Sequence, residues 1–298
     1  MKVLLSGSTG LVGSALLKEF SSNGDQVDIL VRRPALNGHD IQWDPETQEL
    51  REESLEGYDA VVHLAGESIA DGRWTQKKMS RIRDSRVEGT GLLCRALAKV
   101  KHKPQVFVCA SAIGYYGDQG ENVLTESSAV GTGFLAEVCQ AWEDASEPAR
   151  EAGIRVVNMR IGMVLSAQGG ALAKMLIPFQ LGFGGKIGSG KQWMSWIELS
   201  DLLGSIRHAI QDETIEGQVN AVSPQPVTNN EYTKTLGKVI SRPTILPLPA
   251  FGARLALGKM ADELLLASMR VEPQVLLGSG FKFKHPKLEG ALRIALER

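Results

Sequence analysis

Three glycines near the start of the chain, Gly7, Gly10 and Gly13, constrain the fold more than any other feature of the sequence. They follow a short apolar segment at residues 3–6, and apolar residues recur at helical spacing between positions 11 and 20. This pattern predicts a strand, a tight turn and a helix. The first glycine permits the turn, the second lets the backbone approach a pyrophosphate, and the third lets the helix pack closely on the strand. An ordinary strand-to-helix turn is the alternative.

Strand and helix patterns then alternate along the first half of the chain. Such alternation is typical of a parallel sheet covered by helices on both faces, so we predict an α/β fold with a Rossmann-like, doubly wound sheet. The predicted strands are residues 3–6, 27–31, 40–43, 60–64, 105–110 and 155–161, and the predicted long helices are residues 75–100 and 133–152.

The pattern changes after about residue 165. Glycines crowd residues 169–190, where strand signals are few, and we interpret this stretch as a loop over a site. A helix at residues 200–211 and a strand at 219–222 then return to the sheet. We expect an NADP-binding domain at 1–165, joined by 200–225, and a smaller C-terminal substrate lobe at 166–199 and 226–298.

Charge and cysteine content exclude several classes of protein. The chain has 33 Lys and Arg against 34 Asp and Glu, a balance that argues against binding to nucleic acid or to an anionic membrane. Its three cysteines are widely spaced, which favours a reducing compartment. No run of about 18 apolar residues could span a membrane. We therefore expect a cytoplasmic protein.

Two consecutive arginines indicate which dinucleotide would bind. Asp28 has the spacing of a ribose-binding acid, but the second strand continues past it. The residues at the end of that strand are Arg32 and Arg33, whose guanidinium groups suit a 2′-phosphate. The sequence thus favours NADP(H) over NAD(H), with a solvated turn as the alternative.

Several motifs together resemble the extended short-chain dehydrogenase/reductase superfamily, and more narrowly the NAD(P)-dependent epimerase/dehydratase-like proteins of the YfcH type. The resemblance covers essentially the whole chain and implies a Rossmann-like domain, NADP(H) and a C-terminal lobe closing over a substrate. The motifs are the glycine triplet, residues 64–67, 73–74, 87–90, 111–117, 142–143, 184–190, 196–197 and 220–224.

The resemblance assigns cofactor-binding roles residue by residue. The phosphate loop corresponds to Gly7, Thr9, Gly10, Leu11, Val12 and Gly13, and the adenosine-phosphate end to Arg32 and Arg33. Leu64, Ala65 and Gly66 correspond to the loop below the ribose, and Arg160 and Ile161 to the segment that approaches the nicotinamide. Arg86 stands where related proteins commonly have Asn, and it could replace a missing positive charge.

The superfamily's usual Tyr-x3-Lys pair is absent, because the corresponding helix, residues 134–143, contains neither residue type. In that pair the lysine lowers the pKa of the tyrosine, which then transfers a proton. The candidate catalytic groups left are Ser111, Tyr115 and Tyr116, and the alternative is that the two tyrosines only shape a turn and pack. Cys139 reads as a buried structural thiol, and the scattered histidines predict no metal site.

Four residues further along the chain are candidates for contacting the substrate: Trp193, Met194, Trp196 and Arg270. Core packing is the alternative for the first three, and a surface salt bridge for Arg270. Two functions stay open. One is an oxidoreductase or epimerase acting on a small polar substrate such as a sugar or nucleotide-sugar, and the other is a catalytically inactive protein that senses NADP(H). A homodimer could form through helices 75–100 and 133–152, which solvent could equally cover.

Overall fold

The computed structural model describes all 298 residues, and its centre is one eight-stranded sheet. The strands are β1 Lys2–Ser6, β2 Gln26–Val31, β3 Asp40–Asp44, β4 Glu49–Leu50, β5 Ala60–His63, β6 Val106–Ala112, β7 Val123–Leu124, β8 Arg155–Ile161, β9 Met163–Leu165, β10 Trp193–Met194, β11 Trp196–Glu198, β12 Gly217–Ala221, β13 Val227–Thr228 and β14 Arg270–Val271. The central sheet has the order β12-β8-β6-β5-β1-β2-β3-β4. All its neighbouring strands are parallel except the edge pair β3 and β4.

The chain has eleven α-helices, and some of them cover both faces of this sheet. The helices are α1 Leu11–Ser22, α2 Gln76–Lys99, α3 Phe134–Asp144, α4 Glu147–Glu151, α5 Gly170–Gln180, α6 Leu199–Gln211, α7 Asn229–Ile240, α8 Ala250–Leu257, α9 Lys259–Ala261, α10 Gln274–Gly278 and α11 Leu288–Ala295. Helices α1 and α6 pack on one face, in a core of 20 buried residues, and α2, α3 and α4 pack on the other, in a core of 19. The predicted α/β, Rossmann-like doubly wound fold is confirmed.

A separate core lies beyond the sheet, among α5, α7 and α11. Its 12 buried residues include Leu172, Leu176, Tyr232 and Leu292, with Trp196 in their midst. Three two-stranded pairings connect this region to the chain around the sheet: β9 with β11, β10 with β13, and β7 with β14. The last of these brings the C-terminal segment back beside the turn that follows β6.

Two expectations about local structure were wrong. The single helix expected at residues 133–152 is two helices, since Pro148 has no N–H to donate to the carbonyl four residues earlier. The glycine-rich stretch expected as a loop contains α5, whose buried Leu172, Leu176 and Phe179 repeat at helical spacing. The glycines of this stretch lie at the two ends of the helix and do not prevent it from forming.

Candidate functional site at the carboxyl edge of the sheet

The glycine turn lies where the chain order of the sheet reverses, at the carboxyl ends of β1 and β5, where ligands bind in sheets of this kind. Gly7 has a φ of +71°, and a Cβ there would stand 2.7 Å from the Leu64 carbonyl carbon. A Cβ on Gly13 would stand 2.1 Å from the Gly7 oxygen. Only glycine fits either position, because the helix, the turn and the loop after β5 meet without space for a side chain.

The N-terminus of α1 lacks a side-chain cap. Its first intrahelical bond runs from the Ser14 N–H to the Gly10 oxygen at 2.9 Å, so the amides of Leu11, Val12 and Gly13 precede the helix's hydrogen-bonding pattern. Gly10 and Thr9 beside them are exposed. Uncapped amides and the positive end of a helix dipole suit a bound pyrophosphate.

A buried hydrogen-bond group fixes the loop after β5 against this turn. The Ser6 hydroxyl oxygen accepts hydrogen bonds from the backbone N–H groups of Leu64 and Ala65, at 3.1 and 3.2 Å. The same oxygen lies 2.7 Å from His63 Nδ1. Burial lowers the pKa of His63 to about 4, so its ring is neutral. Because both amides donate to the Ser6 hydroxyl, we infer that this hydroxyl donates its own proton in a hydrogen bond to His63 Nδ1. The neutral ring then carries its proton on Nε2, which has no partner in the chain.

The two arginines after β2 have different surroundings. Arg33 donates to Asp40 at 2.6 Å and to the Pro34 carbonyl at 2.9 Å, whereas the exposed Arg32 side chain makes no hydrogen bond or ion pair within the chain. Asp28 is buried and accepts a 2.7 Å hydrogen bond from the Tyr58 hydroxyl. Asp28 therefore cannot reach a ribose beyond the strand end, while Arg32 is available for an anion.

Arg86 of α2 lies directly under the loop after β5. Its Nη1 donates to the carbonyls of Glu67 and Ile82, both at 3.0 Å, and its guanidinium stacks on the Trp142 ring at 4.9 Å. A Cβ on Gly66 would stand 3.2 Å from the Arg86 Cζ. Burial lowers the pKa of Arg86, yet the carbonyls and the aromatic face hold the cation in place. Its Nε and Nη2 have no acceptor within the chain.

Three predicted site residues belong to one buried network. Ser111 donates to Glu143 at 2.7 Å, and Glu143 accepts both Nε and Nη2 of Arg160 at 2.8 Å. The Tyr116 hydroxyl donates to Asn220 at 2.7 Å and accepts from Arg160 at 3.0 Å. Burial raises the pKa of Tyr116. These contacts hold Ser111, Tyr116 and the Arg160 guanidinium inside the fold, a placement that favours a structural role over the catalytic and cofactor-binding roles expected from the sequence.

Tyr115 differs from its neighbour. Its half-buried ring lies over the Arg160 guanidinium at 3.5 Å, and its hydroxyl makes no hydrogen bond within the chain. The adjacent Gly114 packs against Leu135 and Cys139, four residues apart on one face of α3. Burial raises the pKa of the Cys139 thiol to about 12. The helix face beside the turn is thus apolar, and the Tyr115 hydroxyl next to it has no hydrogen-bond partner in the chain.

A cleft of about 260 Å³ opens between this turn and the C-terminal segment. Glu263 lies at its wall and accepts the amides of Phe134 and Leu135 at 3.1 and 2.7 Å, so it caps α3 from the other side of the cleft. The full lining comprises Gly114, Gly117, Asp118, Thr132, Leu135, Arg254, Asp262, Glu263, Leu266, Ala267 and Met269. The sequence analysis missed Arg254, Asp262 and Glu263, because no local motif links them to a turn about 140 residues earlier.

None of the four predicted substrate residues lines this cleft. Trp196 is fully buried in the core beyond the sheet, so its assignment to the substrate was wrong. Trp193 donates from its ring nitrogen to Glu121 at 2.7 Å, and the Arg270 guanidinium covers the Trp193 ring at 4.4 Å. The Arg270 Nε is buried without an acceptor, and no surface salt bridge forms. The Met194 sulfur accepts from Asn229 at 3.4 Å.

No group of three or more His, Cys, Asp or Glu side chains is arranged to hold a metal ion. None of the helices combines the length and the apolar composition needed to cross a membrane.

Comparison with known proteins identifies the class to which this fold and site belong. A sequence model of the NAD dependent epimerase/dehydratase family matches residues 3–221, and one for a domain of unknown function, DUF1731, matches residues 248–295. The chain therefore belongs to the NAD dependent epimerase/dehydratase family, as the sequence motifs predicted.

The individual relatives extend over nearly the whole chain. The epimerase family protein ML0860 of Mycobacterium leprae is 41% identical over 296 residues, which cover 99% of this chain and 96% of the relative. A crystal structure of human epimerase family protein SDR39U1 with NADPH is similar at a TM-score of 0.92 and 33% identity, covering 100% of both chains. The nucleoside-diphosphate sugar epimerase of Corynebacterium glutamicum gives a TM-score of 0.83 at 36% identity, with 99% of this chain and 58% of that chain covered.

Proposed function

We propose that this protein binds NADP(H) and acts as an oxidoreductase or epimerase on a small polar substrate. The observation that carries the proposal is the uncapped N-terminus of α1 behind Gly7 and Gly13, with the unpaired Arg32 at the end of β2. The human relative crystallised with NADPH supports the choice of cofactor. The relative described as a nucleoside-diphosphate sugar epimerase supports a sugar or nucleotide-sugar as the substrate class.

The cofactor would lie across the carboxyl edge of the sheet. Backbone amides of residues 7 and 9–13 would hold the pyrophosphate, Arg32 the 2′-phosphate, and residues 64–66 the ribose. Arg86 would place a fixed positive charge beneath that loop, and Ile161 would face the nicotinamide. When bound, NADP(H) supplies a hydride donor or acceptor. We propose residues 1–165 with 200–225 as the cofactor domain, and 166–199 with 226–298 as the substrate lobe.

Tyr115 is the proposed proton-transfer residue. Its phenol is the group near the turn that no protein partner holds, and the Arg160 guanidinium packed against its ring fixes the position of the ring. In this scheme Arg160 positions Tyr115 rather than contacting the cofactor. The substrate would enter through the 260 Å³ cleft beside Gly114 and Gly117. Trp193, Met194 and Arg270, which lie outside the cleft lining, would contact only a larger substrate.

A titration tests the cofactor assignment. We expect NADPH to bind more tightly than NADH, and Arg32→Ala to weaken NADPH binding about tenfold or more by removing a charge-assisted contact to phosphate. The NADH affinity should stay unchanged. Arg150→Ala, which removes an exposed arginine from α4, is the matched control. Equal affinities of the wild-type protein for NADPH and NADH would contradict the assignment.

A second candidate function is an NADP(H) sensor without chemistry. The apolar Leu135 and Cys139 on α3 favour it, as do the engaged hydroxyls of Ser111 and Tyr116. Measuring NADPH oxidation across carbonyl compounds, and conversion of nucleotide-sugars, separates the two functions. If the protein is an enzyme, the wild type should turn over a substrate in this set. The Tyr115→Phe variant should then lose that turnover but keep its affinity for NADPH. Binding without turnover would favour the sensor.

A further inference from the structure

An irregular segment between β5 and α2 extends from the central sheet to the helices of the C-terminal region. We call residues 67–74 of this segment the strap. It includes Arg73 and Trp74, two residues of the family motifs that do not line the cleft. The contacts of the strap with α5 and α8 lie beside the glycine turn, so its position bears on how a cofactor reaches that turn.

Interior groups fix the two ends of the strap. At its start, Glu67 accepts a 2.7 Å hydrogen bond from Lys78 of α2, whose side chain is only 8% exposed. At its end, the Trp74 ring lies edge-on against Phe134 of α3, with the ring centroids 5.3 Å apart. The Trp74 ring nitrogen also donates to the Ile69 carbonyl at 2.8 Å. Both ends therefore belong to the folded body of the molecule.

The middle of the strap is held by weaker, exposed contacts. Lys174 of α5 donates to the Ala70 carbonyl at 2.8 Å and to Asp71 at 2.7 Å, and Arg73 donates to the Leu255 carbonyl of α8 at 2.9 Å. The Lys174 and Asp71 side chains are 53% and 64% exposed. Exposed ion pairs contribute little stability, so the middle of the strap can detach while both ends stay fixed.

These contacts close a ring of chain beside the α1 N-terminus. On one side of the ring, a Cβ on Gly7 would stand 2.7 Å from the Leu64 carbonyl carbon, so the two backbones touch. On the other side, a Cβ on Gly170 would stand 3.2 Å from Leu11 Cδ2. Lys174 lies four residues after Gly170, on the same face of α5, and completes the ring by reaching the strap.

A dinucleotide bound along the carboxyl edge of the sheet would pass through this ring. Strands β5 and β1 lie between β6, which precedes Tyr115, and β2, which precedes Arg32. Helices α1 and α2 cover opposite faces of the sheet, so the two sides of the ring rise from opposite faces. The opening of the ring therefore faces along the edge, in the direction that joins Arg32 to Tyr115.

We propose that the strap is a gate that must open for NADP(H) to enter or leave the site. The inference rests on the proposed cofactor and adds that the strap controls the rate of cofactor exchange. The Lys174 contacts hold the gate closed both with and without cofactor. Weakening a contact that is the same in both states raises the entry and release rates together and leaves the affinity unchanged.

Stopped-flow measurement of NADPH fluorescence tests the gate. For Lys174→Met we expect the association and dissociation rate constants both to rise about two- to fivefold, as befits loss of an exposed ion pair, with the dissociation constant within about twofold of wild type. Asp71→Ala should act in the same direction although it changes the net charge in the opposite sense. Lys238→Met is the matched control, because it removes an exposed 2.7 Å ion pair to Glu289 that lies outside the ring.

A covalent bridge across the ring gives a second test. In the double variant Asp71→Cys, Lys174→Cys, a bis-maleimide would join the two new thiols, while the three native cysteines are buried. Bridging before NADPH is added should slow association by about tenfold or more, because such closures normally open within milliseconds. Bridging after loading should retain NADPH through gel filtration. The bridged double variant Lys238→Cys, Glu289→Cys should exchange NADPH like the wild type.

Three results would overturn the gate. A Lys174→Met variant in which only the dissociation rate rises would make Lys174 a ligand of the cofactor. A bridged strap that exchanges NADPH at the wild-type rate would show that the strap does not cross the cofactor's path. A wild-type protein that does not bind NADPH would contradict the proposed function and the gate together, whereas ungated binding would contradict the gate alone.

Discussion

At the scale of single residues, close backbone approach decides which side chains the site can contain. Gly13 meets the Gly7 carbonyl so closely that no Cβ fits, and Gly7 itself has a left-handed backbone beside the loop after β5. These positions require glycine for space and conformation. Other glycines, such as Gly38, have open space around them and no such requirement.

Gly13→Ala should therefore destabilise the protein and weaken NADPH binding together. The added methyl group would push α1 away from the turn, at a cost of about 1–3 kcal/mol typical of overpacking, and misplace the amides of its first turn. Urea denaturation and NADPH titration measure the two effects. Gly38→Ala is the control and should leave both within error. An unchanged midpoint for Gly13→Ala would contradict the packing described.

His63 gives the stability a defined pH dependence. Burial lowers its pKa to about 4 in the folded protein, against 6.5 when unfolded. Between these values the unfolded chain binds more protons, so this residue's contribution to stability is present above pH 6.5 and is lost as the pH falls toward 4. The free energy of unfolding should fall by up to about 1.4 kcal/mol per pH unit from this one group.

Urea denaturation of the wild-type protein and of His63→Gln from pH 7.5 to pH 4.5 measures this contribution. Glutamine does not titrate, but its side-chain oxygen can still accept a hydrogen bond from the Ser6 hydroxyl. The variant should show a shallower dependence of stability on pH, with the difference confined to values below about pH 6.5. Parallel curves over the whole range would show that His63 is not buried in its neutral form.

At the scale of elements, one carboxylate connects the C-terminal segment to the sheet domain. Glu263 lies in a short π-helical turn, Asp262–Leu266, and caps α3 across the cleft. Its negative charge also complements the positive end of the helix dipole. The cap therefore fixes α3 and one wall of the cleft at the same time.

Glu263→Ala should lower the free energy of unfolding by about 1–2 kcal/mol, the usual cost of losing a helix cap. Hydrogen exchange of the Phe134 and Leu135 amides should accelerate, because both lose their acceptor. Glu46→Ala, on an exposed side chain without a hydrogen bond, is the control for removing a negative charge. Unchanged protection of both amides would mean that Glu263 does not cap α3 in solution.

At the scale of the whole molecule, one buried ion pair joins elements that are distant in sequence. Glu143 of α3 and Arg160 of β8 form two hydrogen bonds, and through Tyr116 and Asn220 the network reaches β12. Both members of the pair are buried, at 6% and 3% side-chain exposure. Removing one partner would leave an uncompensated charge inside the protein.

Glu143→Gln should thus destabilise the whole chain by about 3–5 kcal/mol in urea denaturation. Glu137→Gln on the solvent face of the same helix should change stability by less than about 0.5 kcal/mol. A small cost at Glu143 would mean that water or another group reaches Arg160.

The sequence by itself determined the fold class, because helical and strand periodicity record which face of each element is buried. It also placed the glycine turn and the two arginines, since these depend on neighbours within about 30 residues. The break before α4 and the existence of α5 had local signals as well, in Pro148 and in the spacing of Leu172, Leu176 and Phe179.

Only the tertiary structure separated Tyr115 from Tyr116, Arg32 from Arg33, and Trp193 from Trp196. Each pair contains the same residue type at nearly the same place in the sequence, but the partners that decide its role lie elsewhere. Arg160 and Asn220 hold Tyr116, Asp40 holds Arg33, and the core of α5, α7 and α11 encloses Trp196. The sequence fixes which groups a residue carries, whereas long-range packing decides which of them stay free to react or bind.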